Sequence, residues 1–219
     1  MSTEQMIDLF FSATLETLAM VGIAAAIACL LGMPTGILLH VTKTNGILAN
    51  KKLNNALSVI VNIGRSVPFI ILLVAIIPFT RLIVGSSIGT GAMIVPLTVA
   101  SIPFIARLIE GALLDVPAGL IEAAQTMGAT PLQIIMKVLI PEAMPGIINS
   151  ITITLVTLVN YSAMAGTVGG GGLGDVGIQH GYIGFNPTII LITVILLVII
   201  VQIIQSIGER LISKVDHRE

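Results

Sequence analysis

Few side chains in this sequence suit chemistry, and they gather in short segments. One is Asn160-Tyr161-Ser162-Ala163-Met164. Tyr161 and Met164 lie three residues apart, so on a helix a phenol and a polarisable thioether share one face. Such groups suit transient contact with a small apolar molecule. They extend a polar stripe through Ser150, Thr154 and Thr157. At about 100° per residue the five side chains fall within an arc of about 80°, with Asn160 at its edge. That face lines a path or a subunit seam, or its hydroxyls bond their own backbone and hold neighbouring helices together.

Two further features need elements to hold them. Gly169 to Gly174 reads Gly-Gly-Gly-Gly-Leu-Gly and formally fits G-x-G-x-x-G. It follows an apolar helical stretch instead of a strand, with no βαβ unit around it, so a dinucleotide fold is excluded. No Walker A sequence occurs, and ATP held through a P-loop is excluded too. Gly169, Gly170, Gly171 and Gly172 are expected to form a hinge or a close-packed gate, with a plain turn as the alternative. Arg65 is a basic group inside an apolar stretch and must face protein or water. An acid, a carbonyl end or a substrate carboxylate would serve as its partner. His40, His180 and Asp175 are boundary residues without metal-ligand spacing, and His217 sits in a charged tail. No metal site is expected.

Composition says what positions these groups. Of 219 residues, 55% are hydrophobic and 10% charged. A soluble domain carries about a quarter charged residues, so a soluble enzyme is excluded and an integral membrane protein is indicated. A net charge of -1 offers no basic footprint for nucleic acid. The one cysteine, Cys29, excludes an intrachain disulfide and reads as a small residue buried in the first span. Glu4, Asp8 and Glu16 precede the first apolar run, which argues against a signal peptide there.

Crossing the hydrocarbon core takes about 20 apolar residues in a helix. Charge-free runs place five transmembrane helices near 15–39, 56–77, 88–109, 145–168 and 188–207 of a single all-α domain, 1–219. The basic residues Lys43, Lys51, Lys52, Arg107, Lys137, Arg210, Lys214 and Arg218 then share one side, against Arg81 on the other. The positive-inside bias makes the eight cytoplasmic, hence N-out and C-in. Arg65 lies nine residues into span two, about 14 Å along the helix.

The cytoplasmic loop, about 110–144, reads as two short helices. Asp115 is expected to cap the first, with Pro117 in its first turn and Gly128 as its stop. Thr130 and Pro131 start the second, and Pro141 interrupts it. The first carries Glu122-Ala123-Ala124, where small residues permit close approach of another backbone and the acid suits a basic partner.

Glu122-Ala123-Ala124-Gln125-Thr126-Met127-Gly128, followed after nine residues by Val138-Leu139-Ile140-Pro141, resembles the EAA loop of ABC importer permeases. Val138 and Ile140 depart conservatively from that family's Ile-x-Leu-Pro. Arg65-Ser66-Val67-Pro68-Phe69-Ile70, Asn160–Met164, Gly169–Gly174 and Tyr182-Ile183-Gly184-Phe185-Asn186-Pro187 are similar to segments of the methionine-uptake permeases. The resemblance covers nearly the whole chain.

It implies a type I permease fold in the bacterial inner membrane, with Glu122, Ala123, Ala124, Gly128 and Pro141 in the segment that seats on an ATPase. Tyr161, Met164, Asn160 and Ser162 become candidates for the substrate pathway. The implied assembly is a permease homodimer with two cytoplasmic ATPase subunits and an extracytoplasmic substrate-binding lipoprotein, set among membrane lipid. ATP and Mg would bind on the ATPase, with no cofactor on this chain. The alternatives are a permease for another amino acid or small solute, and an ion-coupled secondary transporter. The latter commonly has an inverted repeat and midplane ion sites, and the sequence offers neither an inverted repeat nor an acidic residue in the interior of the spans, Glu16 standing at the edge of the first. An intramembrane enzyme would need a catalytic constellation such as His-Glu-x-x-His, which is absent.

Overall fold

A computed structural model describes residues 3–216, helical nearly throughout and without strands among them. His217 and Arg218, assigned above to the charged tail and the cytoplasmic side, lie outside the described residues.

Helix α1 spans Thr3–Val41, 39 residues, or about 58 Å. It begins well before the expected residue 15, because the acidic turns around Glu4 and Asp8 are as helix-competent as the apolar run. Lack of charge marks the part suited to lipid, not the end of the helix. Helix α2 is Lys51–Ser66, capped by Asn50 accepting from the Leu53 backbone N–H. Helices α3, Phe69–Ala75, and α4, Ile77–Val84, follow.

The second expected span, 56–77, is therefore not one helix: α2 and α3 meet at 100°. Pro68 supplies the cause. It disfavours helical backbone at the residue before it, and Val67 is extended, with φ -85° and ψ 123°. Hydropathy joined the two pieces across this proline because it is blind to backbone geometry.

Helix α5, Thr90–Leu114, runs parallel beside α1, with Gly32 against Ile102 and Ile105 and Gly36 against Ala106 and Ile109, and shares with it the central packing. The loop helices are α6, Ala118–Thr126, α7, Pro131–Ile134, and α8, Ile140–Glu142, with a π-helical turn at Ile135–Leu139. Helix α9 is Met144–Gly166 and α10 is Gly172–Asp175; a second π-helical stretch, Val176–Ile183, precedes α11, Pro187–Val215. Among the described residues α1, α5, α9 and α11 are each long and apolar enough to cross a membrane, and the bent α2–α3 pair qualifies when joined.

One apolar core holds Met20, Leu97, Leu158 and Leu173 at full burial. A second joins Ile105, Ile109 and Leu113 of α5 to Ala124, Ile134, Leu139 and Ile147, and so fastens the loop helices to the ends of the long ones. Large apolar side chains remain exposed along α1 and α11, among them Leu30 at 73% and Leu191 at 60%. Such continuous apolar exposure fits a hydrocarbon environment and not water.

Candidate functional site

The loop keeps most of its expected punctuation. Gly128 has φ +79°, a left-handed conformation open to glycine, and its N–H donates to the Gln125 carbonyl to close α6. Thr130 and Gln133 form a reciprocal capping box on α7, in which the Gln133 N–H donates to the Thr130 hydroxyl at 3.4 Å and the Thr130 N–H to Gln133 Oε1 at 2.8 Å. Pro141 cannot donate a helical hydrogen bond. The turn before it widens to a π-helix over Ile135–Leu139, and the chain continues helically past the proline.

Asp115 departs from expectation. It is the C-terminal cap of α5, which runs five residues past its expected end, and α6 begins behind Pro117 without a side-chain cap.

On α6 the motif divides between two faces. Ala124 is 4% exposed and packs into the core with Val116 and Leu139, while Glu122 and Ala123 face outward. Met127 at the end of this helix is 81% exposed. Glu122 and Gln125 also line a cleft of about 190 Å3 with His40, Asn45 and Ile47 from the end of α1 and the connection after it. An acid, a small residue and a flexible apolar side chain thus stand on one outward surface, held rigidly from behind.

The α9 stripe is graded. Ser150 and Thr154 are buried, Thr157 and Tyr161 half-buried, and Met164 is 39% exposed. Each hydroxyl of Ser150, Thr154 and Thr157 donates to the carbonyl four residues earlier, at 2.7–2.8 Å. Those three groups are therefore satisfied within their own helix. Tyr161 instead stacks on Phe69, the first residue of α3, with ring centroids 4.4 Å apart and an interplanar angle of 2°. Ser162 is 2% exposed and donates to the Val159 carbonyl, so it faces the core and not Tyr161.

Asn160 lies in a groove of about 260 Å3 between α9 and α11, with Gln202 opposite. A second groove, about 290 Å3, places Asn149, Thr152 and Thr157 across from Gln205 and Glu209. The α11 residues were missed in the sequence. Gln202, Gln205 and Glu209 recur at helical spacing in an otherwise apolar run, and that periodicity was the available signal.

The glycine run is a knot, not a loose turn. Gly169, Gly171 and Gly172 all have positive φ, between +73° and +78°. The Gly169 carbonyl accepts from the Gly89 N–H at 2.9 Å. A Cβ on Gly171 would stand 2.8 Å from a Glu16 carboxylate oxygen, and one on Gly170 2.7 Å from the Ala165 carbonyl. Glu16 and Thr17 of α1 grip the far end: Gly172 N–H donates to Glu16 Oε2 at 2.7 Å and Leu173 N–H to Thr17 Oγ1 at 2.9 Å. These two bonds satisfy donors at the start of α10, 156 residues away in sequence.

Arg65 occupies the last turn of α2, exposed, with no ion-pair partner among the described residues. A cation is favoured at a helix C-terminus, and the break at Val67 follows directly. The buried charge lies elsewhere, at Glu110 of α5, 3% exposed. Its carboxylate pairs with Lys43 at 2.8 Å and with Arg107, and Arg107 also donates to Asn62 Oδ1 at 3.2 Å.

Comparison with known proteins completes the geometry. A chain of the inward-facing MetNI methionine ABC transporter has the same architecture, with a TM-score of 0.95 and 55% identity, covering 99% of this chain and all of that one. The probable D-methionine transport system permease protein MetI of Vibrio cholerae is 65% identical over 211 residues, 96% of this chain and 94% of that protein. The corresponding Escherichia coli permease is 58% identical over 164 residues, 75% of this chain and 76% of that protein. Residues 32–214 match the model of the binding-protein-dependent transport system inner membrane component. The chain therefore belongs to that family, the multi-pass inner-membrane permeases of ABC importers.

Proposed function

We propose that this chain is the membrane-spanning permease through which an ATP-driven importer moves methionine, working as a homodimer. The observation that carries the reading is α6. A short helix is anchored through Ala124, stopped by Gly128 and turned outward through Glu122, Ala123 and Met127. Its place in the fold is that of the permease in a methionine ABC transporter, matched over 99% of this chain.

On this reading Glu122, Ala123 and Met127 seat on a cytoplasmic ATPase, with Gly128 and Pro141 shaping the segment that presents them. ATP and its Mg ion bind on that separate subunit, and a substrate-binding lipoprotein delivers the amino acid from outside. The eight basic residues support a cytoplasmic coupling side, N-out and C-in, with five spans when α2 and α3 count as one.

The grooves between α9 and α11 support a protein-facing role for that side. Asn149, Asn160, Gln202, Gln205 and Glu209 are costly against hydrocarbon. They turn toward the second copy and the water-filled path between the copies. Tyr161 and Met164 border the path, at the level where α2 breaks into α3, and the glycine knot closes its outer end. ATP-driven closure of the ATPases draws the two coupling segments together and shifts the balance between inward- and outward-open states. Reconstitution with the ATPase and binding protein tests this: methionine uptake that persists without the ATPase would overturn it.

A further inference from the structure

Glu110 is a buried acid for which the motif, the pathway and the glycine knot have no use. Its side chain is 4% exposed, and removing a carboxylate from water is costly unless it is fully paired. Here Lys43 and Arg107 provide the pairing, each with a side chain 36% exposed. Buried pairs of this kind seldom add net stability over apolar packing. What they fix is geometry, and this one fixes three elements at once.

The three elements meet around this carboxylate. Ile105, Ile109 and Leu113, which flank Glu110 on α5, form the platform against which Ala124 of α6 packs. Lys43 belongs to the connection between α1 and α2. Arg107 reaches Asn62, one turn before the break in α2. Helix α2 is otherwise lightly held: Val61 is its one buried residue, and Asn54 ties its first half to the Leu39 carbonyl and the Thr42 hydroxyl. Past the break comes Phe69, stacked on Tyr161.

We propose that Glu110 is a positioning residue of the transport cycle, orienting Arg107 toward Asn62 so that displacement of α6 reaches the broken α2–α3 helix. The proposal rests on the permease function argued above. Movement of the coupling segment shifts the end of α5, the Glu110–Arg107 pair carries that shift to α2, and the Phe69–Tyr161 contact responds. Without the pair, α6 and its ATPase still move but α2 follows poorly.

The test uses the whole transporter, with its ATPase and binding protein, in proteoliposomes, and reads methionine moved per ATP hydrolysed. Glu110→Gln keeps the shape, and leaves Lys43 and Arg107 free to turn toward water. Asn62→Ala removes the exposed acceptor alone and leaves the buried charges intact. Glu110→Gln should lower the ratio by ~10-fold and Asn62→Ala by about fivefold, the scale of coupling between distinct sites, with hydrolysis kept within about twofold of the parent. A parental ratio in both variants overturns the proposal. Should Glu110→Gln fail to assemble, Asn62→Ala decides alone by the same criterion. Absence of ATP-dependent uptake by the parent would instead contradict the permease function itself, so the two failures are distinguishable.

Discussion

The Tyr161 ring lies flat on Phe69, centroids 4.4 Å apart and planes 2° from parallel. This stack joins the polar stripe of α9 to the first residue after the break in α2. Phe69 is buried at 5% exposure and Tyr161 only half-buried, so the tyrosine lays one face on a core residue while part of its side chain stays accessible.

Losing the stack should matter more than losing the phenol. Tyr161→Phe keeps the ring and should transport at close to the parental rate. Tyr161→Ala forfeits an aromatic contact of about 0.5–1.5 kcal/mol, which corresponds to roughly a 2- to 10-fold loss if it is spent in the transport cycle. Met164→Ala should also slow uptake, whereas Ala163→Ser should not. Initial uptake rates at matched expression and ATPase assembly decide it, and equal rates in all four would remove both residues from the pathway.

The two ends of α6 should fail differently. Gly128→Val forces a β-branched residue to φ +79°, at a cost of about 1–2 kcal/mol or more, and should lower the unfolding temperature. Glu122→Arg changes only an exposed side chain and should leave that temperature unchanged. It should instead abolish co-purification with the ATPase, or uncouple hydrolysis from uptake. Thermal unfolding beside a pull-down separates the two effects.

The parts of this site governed by local rules were legible in the sequence. Gly128, the start of α7 at Thr130 and Pro131, and Pro141 act within a few residues of themselves, and chain order reveals them. The bend at Pro68 was legible by the same rule but was overridden by hydropathy, which integrates over a window that ignores φ and ψ. Asp115 misled because a capping residue fits either side of a helix boundary, and α5 ran on through the expected gap. Glu16 and Glu110 were opaque for another reason. Their partners lie 156 residues away for Gly172 and 67 for Lys43, and no periodicity links residues brought together by packing alone.

Glu16 should prove to be a structural acceptor. Glu16→Ala removes the bond to the Gly172 N–H, and a hydrogen bond to a charged group contributes about 1.5–3 kcal/mol. Glu16→Gln keeps an acceptor and should lose less. Thermal unfolding of the purified protein in detergent should rank parent, Gln and Ala in that order; an Ala variant as stable as the parent would mean the knot holds without α1.

Asp175, between α9 and α11 at the far side of the knot, should make stability fall with rising pH. Burial raises its carboxyl above the ordinary value, His180 opposes this, and the Glu16 charge adds to it. A raised acid favours the protonated form in the folded state, so its contribution is complete in acid and is lost as pH climbs through the folded-state value. Asp175→Asn removes that loss. The variant should match the parent near pH ~3 and exceed it near pH ~7 by thermal unfolding; a parent more stable than the variant at neutral pH would reverse the sign.

The central claim is that ATP hydrolysis on a separate subunit drives methionine through this chain by way of α6. The most direct measurement is uptake of labelled methionine into proteoliposomes holding the chain, its ATPase and its binding protein, with hydrolysis followed in parallel. Uptake should require ATP and the ATPase, and should be lost in Glu122→Arg. Accumulation with the ATPase omitted, or driven by an ion gradient alone, would contradict it.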